Sequence, residues 1–201
     1  MDILVVLEDN HGSLHRMSKE AVAGAQKMGG TVTALAIGGN AEALAGELSD
    51  IDLTEVITVN HGLVSSYNAD GYSEVVKQVI ESESYLSIVA GHTYQTRDYM
   101  PRLSAKLGVP FIPDIISFDA DGFVKQVLNA KLNAIVSTSV ETFILSFQSA
   151  AFSDEDLIPG SCVSRPFEVN LDASMVRSET EEPFQEDAGD VDLESAELII
   201  S

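Results

Sequence analysis

Apolar and polar positions in the first half of the chain follow two periods, that of a buried strand and that of an amphipathic helix. Continuous apolar runs predict four buried strands, at residues 2–8, 31–37, 55–59 and 86–90. Between the runs, apolar residues recur every three or four positions and predict four helices, with apolar faces at residues 14–28, 41–48, 72–80 and 100–107. Strands that alternate with such helices favour right-handed crossovers, and therefore a parallel sheet covered on both faces.

Capping residues predict where two of these helices begin and end. Ser13 is expected to cap the first helix, and Gly29 with Gly30 to end it. The fourth helix is predicted over residues 96–107, with Pro101 near its start, where the proline ring is tolerated.

The pattern changes after Gly108, where two prolines are followed by short apolar runs in close succession. These runs predict strands at residues 115–118, 123–128, 133–138 and 142–147. Asp121 and Gly122 form a hairpin turn signal between the first two. The sequence therefore predicts a doubly wound, mostly parallel α/β sheet, with an antiparallel meander or antiparallel edge strands added after residue 110. Further strands are predicted at residues 163–171 and at the apolar run 198–200.

The charge balance excludes one class of partner. The 201 residues include 32 acids against 11 lysines and arginines, a net charge of −21. Nucleic-acid binding draws on clustered positive charge, so no nucleic-acid partner is expected. Ten acids and a single arginine, Arg177, lie within residues 172–197. We therefore expect an α/β domain over residues 1–171, followed by a less ordered acidic segment over residues 172–201 that leads to a domain junction.

The cellular compartment is predicted from two features that the sequence lacks, a long apolar run and a second cysteine. No apolar run reaches the roughly 18 residues that a membrane span requires, so no membrane insertion is expected. The lone Cys162 cannot form an internal disulfide, which fits a reducing compartment and predicts a cytoplasmic protein.

Familiar catalytic and cofactor motifs are also missing. The sequence contains neither a G-x-G-x-x-G nor a Walker-type phosphate loop. Gly38 and Gly39 are interpreted as a strand-to-helix turn rather than as a weak anion site. His11 and His15 have no third ligand nearby, so no metal site is predicted. No catalytic residue is assigned.

The most informative segment covers residues 91–102, which read G-H-T-Y-Q-T-R-D-Y-M-P-R. It lies at the carboxyl end of the fourth strand, where open α/β sheets bind ligands or partners. In a structural interpretation, Thr93 or Thr96 caps the helix, and Asp98 pairs with Arg102 one turn later. In a functional interpretation, the same segment, with Arg97, is a docking or ligand-facing loop.

This segment and the residues that follow it resemble the electron transfer flavoprotein α subunit. The family pattern is an acid–x–x–Pro–Arg–apolar–x–Ala helix followed by a strand that begins with serine or alanine, then aspartate, then isoleucine or valine. The positions that match it here are Asp98, Pro101, Arg102, Leu103, Ala105, Asp114 and Ile115. The opening strand, residues 12–14 and residues 192–201 fit the family as well.

The resemblance implies an adenine nucleotide α-hydrolase-like fold that serves as the N-terminal scaffold and docking domain of the α subunit. Its partner would be the electron transfer flavoprotein β subunit, and the whole protein would carry electrons from an acyl-CoA or other dehydrogenase through FAD. Thr93, Arg97, Asp98, Arg102 and Asp114 become candidates for docking or structural support. We expect Arg102 to contact an acceptor on a neighbouring strand, with Asp114 as a candidate.

Two departures from the family pattern limit these expectations. Gln148 stands where the family has an arginine, and the family's flavin-binding domain would begin beyond Ser201. No FAD is therefore expected on this chain alone. An adenine-nucleotide-binding domain and a plain heterodimerisation module remain as alternatives.

Overall fold

A computed structural model describes residues 2–178 and 180–181. The helices within this part of the chain are α1 (Arg16–Met28), α2 (Ala41–Gly46), α3 (Ala69–Ser82) and α4 (Tyr94–Leu107). The strands are β1 (Asp2–Val6), β2 (Asp9–Asn10), β3 (Ser13–Leu14), β4 (Thr31–Ile37), β5 (Glu55–Val59), β6 (Ser87–Gly91), β7 (Phe111–Asp119), β8 (Gly122–Val127), β9 (Leu132–Val136), β10 (Phe143–Phe147) and β11 (Ser164–Pro166).

Nine of these strands form one sheet, in the order β11-β5-β4-β1-β6-β10-β7-β8-β9. The pairs from β11 to β7 are all parallel, and the β7–β8 and β8–β9 pairs are antiparallel. The chain winds outward from β1 through β4 to β5, and then returns to place β6 on the other side of β1. This arrangement confirms the predicted doubly wound fold with antiparallel strands at one edge.

Helices cover both faces of the parallel strands and create two apolar layers. Along β1, Ile3 and Val5 face the layer that contains α1 and α2, and Leu4 and Val6 face the layer that contains α3 and α4. All four side chains are buried. The continuous apolar run of this strand is thus explained, because a parallel strand between two helical layers has no solvent face.

A glycine in α1 allows that helix to approach the sheet closely. A Cβ atom on Gly24 would lie 2.6 Å from a ring carbon of Phe147 and 2.8 Å from one of Phe152. Those two rings pack against each other with 4.6 Å between centroids and an interplanar angle of 59°. The aromatic pair occupies the space that any larger residue at position 24 would need.

The start of α1 differs from the prediction. Ser13 does not cap the helix but pairs with Asn10 in a two-stranded ribbon, β2 with β3. The helix begins at Arg16, and His15 caps it by accepting the N–H of Met17 on Nδ1 at 3.1 Å. Histidine is an uncommon cap, which is why the serine was the stronger signal in the sequence.

The position of Pro101 within its helix also differs from the prediction. Thr93 caps α4, so the helix begins at Tyr94 and Pro101 is an interior residue, well beyond the first turn. Only the first four N–H groups of a helix lack an internal partner, so this proline removes one hydrogen bond from the ladder. The expectation that Pro101 starts the helix is wrong.

Two strand predictions need correction. The run at 142–147 is β10, which is not part of the meander but lies parallel between β6 and β7. The strand predicted over residues 163–171 is reduced to the three residues of β11, which pair with β5. The predicted hairpin is confirmed, since Asp119 pairs with Gly122 across the β7–β8 turn. The run 198–200, and most of the acidic segment, lie outside the described residues.

Candidate functional site

A cavity of about 650 Å³ opens at the carboxyl ends of β1 and β6, where the winding of the chain reverses. Open α/β sheets bind ligands in the crevice at such a switch point, because the loops after the two strands leave toward opposite faces. The lining residues are Glu8, Asn10, His15, Arg16, Met17, His92, Thr93, Tyr94, Arg97 and Ser149.

Thr93 connects the two strands that form the cavity. Its hydroxyl donates a hydrogen bond to Oε2 of Glu8, which follows β1, and its oxygen accepts the backbone N–H of Thr96 at 3.1 Å. Burial raises the pKa of the Glu8 carboxyl. The structural interpretation of Thr93 as a helix cap is therefore correct, and the same side chain also holds Glu8 in place.

Arg97 lies at the mouth of the cavity. Its guanidinium is 5.5 Å from the centroid of the Tyr94 ring, and the Tyr94 side chain is 87% exposed. Within residues 2–178 and 180–181, no carboxylate forms an ion pair with Arg97. Its charge is thus available to a ligand or a partner.

The opposite wall of the cavity comes from α1 and the loop after β10. Arg16 pairs with Glu20 through Nη1, and its Nη2 donates to Ser149 Oγ at 2.9 Å. The other Glu20 oxygen accepts the N–H of Ala150 at 2.9 Å. The stretch that begins at Gln148, in which the family resemblance led us to expect an arginine, is therefore fixed by an arginine and a glutamate from α1.

His92 and Asp114 lie deeper in the same region. The backbone of Asp114 has a φ of 64°, and its N–H donates to Ser146 Oγ at 3.2 Å. Ser146 Oγ in turn lies 2.8 Å from His92 Nδ1. Burial lowers the pKa of His92, which favours the uncharged form of the ring. Asp114 thus supports β10 and the His92 loop.

Asp98 and Arg102 lie on a different part of α4, toward α3. Arg102 Nη2 is 3.4 Å from Asp98 Oδ1, which is the predicted pair one helical turn apart. Its Nη1 is 3.2 Å from Asp70 Oδ1, on α3. The expectation that Arg102 contacts Asp114 on a neighbouring strand is wrong, because α3 supplies the nearer carboxylate.

Asp70 is the residue that sequence reasoning missed. It is only 7% exposed, and besides Arg102 it accepts the backbone N–H of Arg177 at 3.2 Å and the Nη2 of Arg177 at 3.3 Å. Hydrogen bonds from Arg177 hold the pKa of Asp70 below its ordinary value. In the sequence, Asp70 is indistinguishable from any acid in the first turn of a helix, so no local signal could have identified it.

An apolar surface on the antiparallel strands was not predicted either. Four large side chains around β8 and β9 are 49–68% exposed, and we call them the meander surface: Leu128, Leu132, Ile135 and Val140. The described helices pack mainly on the parallel strands, so they leave this part of the sheet uncovered. Leu132 and Ile135 are three residues apart on β9 and therefore lie on opposite faces of the sheet, so the exposed apolar side chains surround its edge. Exposed apolar side chains at a sheet edge are typical of interaction sites.

Two site classes find no support among the described residues. No group of three or more histidine, cysteine or acidic side chains is arranged to hold a metal ion within this part of the chain. None of the helices described here combines the length and apolar character needed to span a bilayer.

Comparison with known proteins gives a consistent family match. The electron transfer flavoprotein domain family matches residues 3–163. Among curated proteins, the chain is 27% identical over 207 residues to the electron transfer flavoprotein subunit alpha of Bacillus subtilis, covering 99% of this chain and 63% of the relative. It is 25% identical over 214 residues to the protein of the same name from Thermoanaerobacterium thermosaccharolyticum, covering 100% and 64%. The chain thus spans less than two thirds of the length of these relatives.

Proposed function

The chain belongs to the electron transfer flavoprotein domain family, and we propose that it is the scaffold and docking portion of an α-type subunit. In this proposal it binds a β-type electron transfer flavoprotein subunit and supports a flavin domain. The assembled protein would receive electrons from an acyl-CoA or other dehydrogenase and pass them on through FAD. The chain itself would act as part of an electron carrier and not as a catalyst.

The meander surface is the observation that supports docking. Strands β8 and β9 extend the sheet beyond the helical layers, and β9 leaves one edge unpaired in the described structure. A strand with a free edge and exposed leucine and isoleucine side chains is prone to aggregation unless another chain covers it. A second subunit with a similar sheet extension would satisfy both the edge and the apolar surface.

The residues present do not fit FAD. A flavin dinucleotide needs free backbone N–H groups to hold its pyrophosphate. In the loop after β1, the N–H of Gly12 already donates to Asp9 Oδ1 at 2.6 Å, and the N–H of Leu14 donates to Glu47 Oε1 at 2.7 Å. Glu8 adds a carboxylate at the same strand end. We therefore propose that the flavin is held by the domain that the longer relatives contain beyond the matched region.

The Asp98–Arg102 segment keeps a supporting role in this proposal. Both charged side chains are half exposed, and Arg102 links Asp98 on its own helix to Asp70 on α3, so the pair would support the packing of α3 on α4. The exposed Arg97 is the member of the original candidate set that is best placed to contact a partner.

Docking is tested by measuring the affinity of the purified chain for the β-type subunit of the same organism. Replacing Ile135 with aspartate puts a charge into the meander surface and should weaken binding at least about tenfold, the cost expected for a central interface residue. Val163→Asp is the matched control, because Val163 is 67% exposed and precedes the strand at the opposite sheet edge. Equal losses for both variants, or no loss for Ile135→Asp, would contradict the proposed surface.

A further inference from the structure

We propose that the cavity between β1 and β6 binds a small oxyanion, meaning the phosphate or carboxylate group of a metabolite-sized molecule. Arg97 would supply the charge, and the rings of His15 and His92 would supply hydrogen-bond donors, while Arg16, already paired with Glu20, lies at the opposite wall. All four side chains line the cavity. The cavity and the meander surface lie at different places along the sheet, and Arg97 is the one residue that this proposal shares with the docking proposal.

The hydrogen bonds of the two histidines determine which ring nitrogen faces the cavity as a donor. Nδ1 of His15 accepts the N–H of Met17, so the proton of the neutral ring is on Nε2. The Ser146 hydroxyl is buried and accepts the N–H of Asp114, and within the described residues its only acceptor is Nδ1 of His92. Donation from that hydroxyl to Nδ1 places the proton of a neutral His92 ring on Nε2 as well. Each ring, in its neutral form, can therefore donate an N–H to a bound oxyanion.

The helices around the cavity are also suited to an anion. Both α1 and α4 begin at its wall, with their N-termini directed toward it, and neither has an acidic residue in its first turn. In contrast, α2 and α3 carry Glu42 and Asp70 in their first turns. The negative group nearest the α4 N-terminus is Glu8, held by the Thr93 cap, and the first turn of α1 has no acidic residue.

Arg97 is the strongest single element of the proposed site. It has no ion-pair partner in the described structure, although acidic residues outnumber basic ones almost threefold in the chain. An unpaired arginine donates two parallel hydrogen bonds to a phosphate or a carboxylate. Its guanidinium lies 5.5 Å from the centroid of the exposed Tyr94 ring, and both residues line the cavity.

Glu8 opposes the anion and limits the affinity of the site. Its carboxyl group lines the cavity and is held by the Thr93 hydroxyl. A ligand oxyanion that binds beside it experiences repulsion that an uncharged residue would not exert. Removing the Glu8 charge and removing the Arg97 charge should therefore change the affinity in opposite directions, an outcome that general destabilisation cannot produce.

The test is an NMR titration of the isotope-labelled chain with inorganic phosphate and, separately, with succinate, at constant ionic strength in chloride. We expect saturable shifts at the Thr93 and Arg97 amides and at the His92 ring with at least one of the two anions. Arg97→Gln should weaken the binding roughly tenfold, the loss expected for a charge-assisted contact. Glu8→Gln should strengthen it several-fold.

Lys131→Gln is the matched control, because it removes one exposed positive charge that is not part of the cavity lining. It should leave the affinity unchanged. Arg97 is exposed, so its variant should fold normally, and its melting midpoint verifies this. The preferred anion identifies the ligand group. The absence of saturable shifts with both anions, or equal affinities for the parent chain and Arg97→Gln, would overturn the proposal.

Discussion

Replacing Asp70 with asparagine should destabilise the protein more than any other single charge removal on α3 and α4. The buried carboxylate of Asp70 joins three elements, because it accepts hydrogen bonds from Arg102 on α4 and from both the backbone and the side chain of Arg177. Asparagine keeps the shape and one acceptor oxygen. It removes the negative charge and directs an amide group against two guanidinium groups.

The size of the effect follows from the burial of the partners. The Asp70 side chain is 10% exposed, but those of Arg102 and Arg177 are 48% and 77% exposed, so water screens the arginines. The full cost of breaking a buried ion pair therefore does not apply. Losing hydrogen bonds to a charged group, together with the favourable position near the α3 N-terminus, should lower the free energy of unfolding by about 2 kcal/mol. For a chain of this size that lowers the melting temperature by about 4–8 °C.

Asp98→Asn is the matched control for this substitution. Asp98 contacts the same Arg102, at 3.4 Å, but its side chain is 47% exposed. An exposed pair contributes less than about 1 kcal/mol. Chemical denaturation of the three proteins measures the difference directly. Equal stabilities of the Asp70 and Asp98 variants would refute the idea that burial of Asp70 makes this contact important.

The pH dependence provides a second check with a defined sign. The pKa of Asp70 is lower in the folded chain than the value of about 3.9 expected when unfolded. A lowered pKa contributes stability above the unfolded pKa, and that contribution is lost as the pH falls through the folded pKa. The stability gap between the parent chain and Asp70→Asn should therefore be constant near neutral pH and shrink below about pH 4. A gap that widened in acid would contradict the assignment.

Two further predictions concern the core and the cofactor. Gly24→Ala should destabilise the chain by about 1–3 kcal/mol in a denaturant titration, because the new methyl group would overlap the Phe147 and Phe152 rings. Gly46→Ala is the control and should be neutral or slightly stabilising, since nothing lies within 4 Å of a Cβ atom there. The purified chain should be colourless and should show no saturable quenching of FAD fluorescence, because the N–H groups of Gly12 and Leu14 after β1 are already occupied. A yellow preparation with stoichiometric FAD would refute this expectation.

The parallel half of the fold could be predicted from local sequence because each strand there is buried on both faces. The apolar runs of β1 and β4, and the periodic apolar face of α3, are direct consequences of that burial. The placement of β10 could not be predicted in this way. Its run of five buried residues is equally compatible with a meander, and only the distant strands β6 and β7 determine that it lies between them.

The sequence predicted only those residues of the candidate site that directly follow a buried strand. Thr93 and Arg97 were identified because they follow a buried strand, and both line the cavity. Their partner Glu8 is 85 residues away from Thr93 along the chain, and Arg177 is 107 residues from Asp70. Residues so far apart in the chain are brought together by the order of the strands in the sheet. Local sequence patterns do not reveal that order.

The cavity exists because the fold sends two neighbouring strands into opposite helical layers. After β1 the chain enters α1, whose Ala21 packs in one layer, and after β6 it enters α4, whose Met100 packs in the other. The two helix N-termini must therefore separate above the sheet. Gly91, the last residue of β6, determines how close α1 can come, because a Cβ atom there would lie 2.7 Å from the Cβ of Met17. The glycine thus allows Met17, which lines the cavity, to approach the end of β6, and the hydrogen bond from Thr93 to Glu8 connects the ends of the two strands.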